Sequence, residues 1–435
     1  MPLYQRVPWV AIAITLLVLI TAIFAESPVR DAETLGPLPE VHLELSTGYL
    51  AVAPLSDVLD TISLLGARQH VAVLIFAIIV YVLVRVWRVR SADLSEREVS
   101  GGGTRRRAGF SRELGFAGLF LLAVILVYAA VAVLPRPMAA LAADPSDVIL
   151  IADFHAHTSY SHDGRPGWSP ADVRSWHRAS GFDVAYISDH RTVQGAEEGI
   201  VDNPAEAGQG TMLLQALEVV WRGEHVNILD AGRTYKGLTT PDLRDMDEQA
   251  VTLASLLPGR EPILIQTLPG DLSKVPVAKG PQSAGVRAIE VVDGSPRGLD
   301  QTRIFRSRIL HLADSLNLAL VAGSDNHGWG RAAPAWTLLI VPGWRGMGTD
   351  SLAYAIDKTL HLGRQAAKVV ERRVAGELNG SNALELTFTL PIVAWRMFTT
   401  LSVDERVMWV FWVWALFAIW RLTGTWRRRR RLRVA

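Results

Sequence analysis

Ile151-Ala152-Asp153-Phe154-His155-Ala156-His157-Thr158-Ser159-Tyr160-Ser161-His162-Asp163-Gly164 carries an apolar run, 148–152, straight into a cluster of imidazoles and carboxylate. An apolar run that ends this way is how a buried strand delivers metal ligands to one end of a barrel. Alternate side chains of an extended strand point the same way, so His155 and His157 can meet one cation.

Working outward, further apolar runs at 184–187, 212–217, 226–229, 263–265, 289–292, 318–322 and 337–341 read as strands. Helical patterns fall at 247–257, 302–316 and 351–362, and Ser169-Pro170 opens another that Gly181 closes. This alternation predicts an α/β domain, a parallel sheet or closed barrel, of about 230 residues. Turn-rich stretches at 135–145 and 376–381 set its limits at 143–375. Titratable residues fall at the strand ends. Asp189 and His190 follow the second run, Glu218 follows the third, and His225 heads the fourth. A late run closes in Gly323-Ser324-Asp325-Asn326-His327. Barrel active sites lie at such ends, and several of them carrying His, Asp or Glu marks a site. His42, His70, His177, His311 and His361 stand outside the pattern and read as structural or solvated.

In this order the residues resemble the PHP (polymerase and histidinol phosphatase) superfamily of metal-dependent phosphoesterases. The likeness rests on His155-Ala156-His157-Thr158, Ser161-His162-Asp163-Gly164, Ser188-Asp189-His190, Glu218, His225 and Gly323-Ser324-Asp325-Asn326-His327, and it covers 148–365. The resemblance implies a distorted (β/α)7 TIM-like barrel. It implies one metal on His155, His157, Glu218 and Asp325, a second on Glu218 and His225, and a third on Asp163, His190 and His327. His162 is an alternative to Asp163, and Asp189 would orient an imidazole. One departure stands out: Thr267-Leu268-Pro269 puts Leu268 where the family has a ligating histidine. The expected complement is therefore two or three divalent ions, and imidazole with carboxylate suits Zn, Mn or Fe.

Clustered cations favour attack of water on a phosphate ester, so a phosphoesterase acting on a small molecule is expected, with Asp325 also moving a proton. Arg191 and Arg331 would bind phosphate at the mouth. Trp329 and Trp336 either stack on an organic group or pack in the core. A hydrolase of carbamate, amide or ester bonds, and a metal-binding sensor or scaffold without turnover, are the alternatives.

The chain has 435 residues, a formal net charge of +1 and no cysteine, so nothing in it calls for nucleic acid and no disulfide forms. Apolar segments at 8–25, 70–87, 114–134 and 407–426 approach the ~20 residues needed to span a bilayer. The first can instead be read as a signal peptide ending at Ala25. Segment 383–402 reads as a strand followed by an interfacial segment. Arginine crowds the loop between the second and third spans and the tail from Arg427, whereas the 26–69 loop is acidic. By the positive-inside rule the termini and the Arg-rich loop are cytoplasmic, and the hydrolase domain lies outside the inner membrane. The expected layout is an anchor with three spans at 1–142, the hydrolase at 143–375, and a fourth span with its basic tail in 376–435.

Overall fold

A computed structural model of the chain describes residues 8–96, 105–190, 192–221, 223–229, 263–275, 286–373 and 386–434. In chain order the strands are β1 (Val29–Asp31), β2 (Val41–Leu45), β3 (Ala139–Ala143), β4 (Ile149–Ala156), β5 (Val184–Ile187) and β6 (Met212–Trp221). They continue with β7 (Glu224–Leu229), β8 (Leu264–Gln266), β9 (Val286–Asp293), β10 (Ala319–Gly323), β11 (Ala335–Ile340) and β12 (Ala367–Arg372). The principal helices are α1 (Trp9–Ile23), α2 (Ala53–Ser63), α3 (Ala67–Glu96), α4 (Arg105–Val133) and α5 (Pro170–Ala179). Beyond them come α6 (Gln194–Val201), α7 (Arg303–Leu316), α8 (Thr349–Leu360), α9 (Thr389–Thr399) and α10 (Val403–Val434). The predicted helix at 247–257 lies outside the described residues.

Ten strands form one sheet in the order β1-β12-β11-β4-β5-β6-β7-β8-β9-β10. Strands β4, β5 and β6 are parallel, as are β8, β9 and β10. Every residue of β4 and β5 is buried, as expected of strands covered on both faces. The sheet curls until its last strand reaches β4. There the Asp325 N–H donates to the His155 carbonyl at 2.8 Å and the His157 N–H to the Asn326 carbonyl at 3.2 Å.

This is an α/β fold with a curled, barrel-like sheet, but it is not the expected (β/α)7 barrel. Strand β7 runs antiparallel to both its neighbours, and β11, β12 and β1 form an antiparallel flank. The local reason is a tight turn. Trp221 and Glu224 pair directly with Gly223 at φ +77°, and a two-residue hairpin leaves no length for a crossover helix. Because β7 reverses, its first residues, including His225, come to the same end of the sheet as the far end of β6.

The helices flank one end of this body. Ala67–Arg88, Arg112–Val133 and Val403–Thr423 are long and apolar enough to cross a membrane, and α1, at 15 residues, is shorter than its predicted span. The end of α4 touches the barrel where the Arg331 Nε donates to the Ala132 carbonyl at 3.3 Å. The start of α3 does so where the Arg68 N–H donates to Asp300 at 3.1 Å. Of segment 383–402, expected as a strand followed by an interfacial segment, residues 389–399 form a helix and 383–385 lie outside the described residues, so no strand is seen among the described part. Its Val393 and Met397, one turn apart, are both buried, a helical rather than a strand spacing. Within the acidic 26–69 loop, β1 joins the large sheet beside β12 and β2 pairs with β3.

Candidate metal centre

His155 and His157 sit at the far end of β4, and both rings are buried. Their Nε2 atoms face the same two carboxylates. His155 Nε2 is 3.0 Å from Glu218 Oε2 and 3.3 Å from Asp325 Oδ1. His157 Nε2 is 3.2 Å and 3.3 Å from the same atoms. Glu218 comes from β6, and its other oxygen meets His225 Nδ1 of β7 at 2.6 Å. Asp325 sits just past β10 at φ +44°, a left-handed conformation that costs a non-glycine residue energy and collects at functional sites.

A second group adjoins the first. Asp163 Oδ2 lies 3.2 Å from His327 Nε2 and 3.5 Å from His190 Nε2. His157 and His327 stack with ring centroids 4.0 Å apart. Ligand atoms within each of the sets His155/His157/Asp325, His157/His190/His327 and His190/Glu218/His225 lie within 4.8 Å of one another. The structure thus brings together His155, His157, Asp163, His190, Glu218, His225, Asp325 and His327. His162, its side chain 73% exposed and 3.8 Å from Asp163, also lies in reach: donor atoms of His162, Asp163 and His190 fall within 4.8 Å of one another, while Asp163 contacts His327 as well.

Whether these residues fit a cation is tested by their hydrogen bonding. Neither ring nitrogen of His157, nor Nε2 of His327, makes a hydrogen bond despite burial. Yet the Nε2 atoms of both rings lie within 3.3 Å of a carboxylate oxygen. Buried polar atoms are otherwise satisfied as a rule. Imidazoles close to carboxylates but off their hydrogen-bond line point at a shared volume, which is what an N/O donor set for Zn, Mn or Fe requires.

Electrostatics agree. Burial disfavours charge on His157, but Asp325 and Glu218 outweigh it and raise its pKa to about 9. For His155 the same opposition ends with Glu218, Glu290 and Asp325 pushing the pKa well above the ordinary value. Burial would raise both carboxyls, yet His155 and His157 hold Glu218 well below the usual range and Asp325 below it. The first cluster therefore attracts positive charge. At the second, burial lowers His190 to about 4 and also lowers His327. Burial is outweighed at Asp163, which Ser161 and the neighbouring imidazoles bring down to about 2.

Two residues that sequence reasoning passed over complete the site. Glu290, fully buried in β9, sits 3.0 Å from His155 Nδ1. Its other oxygen accepts the Leu268 N–H at 2.8 Å. Asp293 Oδ2 is 3.9 Å from the same Nδ1. A Cβ on Gly323 would strike Glu290 and come within 2.7 Å of the His155 Cβ, so only glycine lets β10 pass this pair. The readable signal was Glu290 inside the apolar run Ala288-Ile289-Glu290-Val291-Val292, with Asp293 at its end. Leu268 is 2% exposed and packs in the core; its backbone, not its side chain, serves the site.

Other expected roles shift. Asp189 orients no imidazole: its carboxylate accepts the Thr158 N–H and hydroxyl, both at 2.6 Å, and so fixes the chain just after His157. His177 is structural, its Nε2 2.7 Å from Asp153, whose other oxygen accepts the His155 and Ser324 N–H groups. Arg331 stands on the loop after His327 and contacts the end of α4; Arg191 lies outside the described residues. Trp336 is buried, its indole donating to the Ser180 carbonyl at 2.9 Å, whereas Trp329 is 58% exposed.

No family model and no curated protein matches the sequence. Among solved structures the chain is similar to PsfC from Pseudomonas syringae (TM-score 0.36, 16% identity, covering 57% of this chain and 97% of that one). It is also similar to a two-domain protein from Bacteroides vulgatus described as containing a predicted PHP-like metal-dependent phosphoesterase (0.28, 14%, 47% and 62%). A third is PfuEndoQ, a lesion-specific endonuclease from Pyrococcus furiosus (0.34, 13%, 49% and 56%).

Proposed function

We propose that the protein is a membrane-anchored, metal-dependent hydrolase of phosphoesters whose barrel works outside the cytoplasmic membrane. The observation that carries the chemistry is the convergence of His155, His157, Glu218 and Asp325 with both nitrogens of His157 unsatisfied. His155, His157, Glu218 and Asp325 would hold one divalent cation, and Asp163, His190 and His327 another. Glu218 with His225 finds its third donor only in His190, which the neighbouring set also uses, and Leu268 supplies none; this supports two firmly held ions. Such ions supply charge stabilisation for a phosphoryl group and lower the pKa of a water.

The protein's own groups do the rest. Asp325 would take a proton from the attacking water and return it to the leaving oxygen. Glu290 holds the His155 ring by its second nitrogen, which keeps Nε2 turned toward Glu218 and Asp325. The membrane reading draws on the three long apolar helices and on the basic loop and tail. On this reading the Arg-rich loop and both termini would face the side of the membrane away from the barrel.

Full-length protein, purified in detergent, should retain divalent metal and hydrolyse p-nitrophenyl phosphate in preference to p-nitrophenyl acetate. Metal retention with the opposite preference would favour amide or ester hydrolysis. Retention with no turnover would favour a sensor. Reporter fusions at Asp144 and Ala435 test the topology: activity of a cytoplasmic reporter at Asp144 would sink it.

A further inference from the structure

Beside the metal centre a cavity of about 450 Å³ is lined by Asp163, Asp325 and His327, and equally by Leu64, Leu299 and Ala332. Leu64 does not belong to the barrel. It lies between α2 and α3, three residues before the apolar span that starts at Ala67. Leu64 and Leu65 form a small apolar cluster with Val393 of α9, Val73 of α3 and Ala332 from the loop after His327. Arg331, next to Ala332, binds the carbonyl of Ala132, one residue from the end of the span Arg112–Val133. The cavity is thus walled on one side by metal-centre donors, and on the other by Leu64, which leads into the apolar helix that starts at Ala67.

Its rim has the composition of a bilayer interface. Trp329 lines it while 58% exposed, and tryptophan collects where apolar and wet regions meet. The Arg165 guanidinium lies 5.6 Å from that ring. Arg331 stands between the lining residues Gly330 and Ala332, and the Arg165 guanidinium donates to the Gly328 carbonyl on the same loop, so both cations stand at the cavity's rim. Arg136 is paired with Asp60 at 2.9 Å; among the described residues Arg165 and Arg331 bond only to carbonyl oxygens. Two guanidiniums without carboxylates, beside a phosphoester-cleaving centre and against a bilayer, suit a lipid phosphate.

We infer that the substrate is a lipid-borne phosphoester in the outer face of the membrane. Its phosphate would sit between the metal centre and Arg165/Arg331, and its glycerol and upper acyl region against Leu64, Leu299, Ala332 and Trp329. This rests on the phosphoesterase reading above. In the step, a water oxygen bonds to phosphorus, the phosphorus–oxygen bond to the lipid breaks, and the lipid oxygen leaves with a proton.

The test uses full-length, metal-loaded protein in phosphatidylcholine vesicles carrying phosphatidic acid or phosphatidylglycerol. Soluble glycerol 3-phosphate and p-nitrophenyl phosphate serve as comparators. Cleavage of at least one vesicle lipid with kcat/KM about tenfold or more above glycerol 3-phosphate is expected, each tenfold being about 1.4 kcal/mol of added binding in the transition state. A second arm reads binding without turnover. Metal-free protein in vesicles with photoreactive phosphatidic acid should be labelled near Leu64, Trp329 and Ala332, and Arg331→Glu should reduce that labelling severalfold. Hydrolysis of the soluble esters with neither vesicle lipid preferred overturns this inference and leaves the phosphoesterase reading standing. No turnover of any phosphoester overturns that reading, and the labelling pattern then decides the lipid site by itself.

Discussion

Two clusters of buried carboxylates lie in this protein, and they solve the cost of burial in opposite ways. At the barrel mouth, Glu218 and Asp325 face imidazoles that leave some of their own nitrogens unbonded. Where the barrel rests on the helices, Asp57 and Asp60 face fixed donors. Tyr49 donates to both, Trp409 to Asp57 at 2.7 Å, and Arg136 to Asp60 at 2.9 Å. Burial and then Glu405 raise Asp57 to about 8, and burial raises Asp60 despite Arg372 and Arg136. Glu218 and Asp325, which face the imidazoles, move down, whereas Asp57 and Asp60 move up. A site that lowers its carboxylates and protonates its imidazoles attracts a cation; one that satisfies its acids with tyrosine, tryptophan and arginine is a latch.

The sharpest way to break this contrast is His157→Ala. It should strip bound metal and lower phosphoester hydrolysis by about a thousandfold or more, because an ion's charge stabilisation is worth several kcal/mol. Unchanged metal content and rate would remove the mouth from consideration. Asp60→Asn attacks the other side. It leaves Arg136 charged and short of its partner, a loss of about 3–5 kcal/mol of stability for a buried pair, with metal per folded molecule unchanged. Denaturant titration and metal analysis of the same preparation check both halves. Metal loss without destabilisation would mean that the collar is part of the site.

The mouth was legible in the sequence and the collar was not, for a physical reason. His155-Ala156-His157 announces itself through the period of a single strand, and the other donors stand at ends of apolar runs. Tyr49, Asp57, Asp60, Arg136, Arg372 and Trp409 come from separate elements, and no local period links them. Glu290 lies outside the strand-end pattern, inside β9, where one carboxylate in an apolar strand is itself the warning. The sheet's antiparallel members were missed because β1 is only three residues long, and because Gly223 turns what looked like another parallel strand back on its predecessor.

Glu290 gives a smaller and more discriminating test. Glu290→Gln keeps the volume and can still accept the Leu268 N–H, but it withdraws the charge behind His155. Metal affinity should fall about 10–100-fold, the usual scale for a carboxylate that orients a ligating imidazole. A melting temperature that drops with no change in affinity would mark Glu290 as scaffold alone.

The finest division lies within the mouth itself. His157, with a pKa of about 9 when no metal is bound, carries a proton at neutral pH; a cation must displace it. Affinity at that position should therefore rise about tenfold per pH unit for each proton released, levelling off above about pH 9. His190, lowered to about 4, is already neutral above pH 5, and Asp163, lowered to about 2, is already ionised. A cation held by Asp163, His190 and His327 meets no such competition there, since burial lowers His327 as well. Zinc competition against a chromophoric chelator from pH 6 to pH 8 should thus resolve one steeply pH-dependent ion and one nearly flat. Two parallel slopes would mean that the donors act as one coupled set rather than as neighbouring sites.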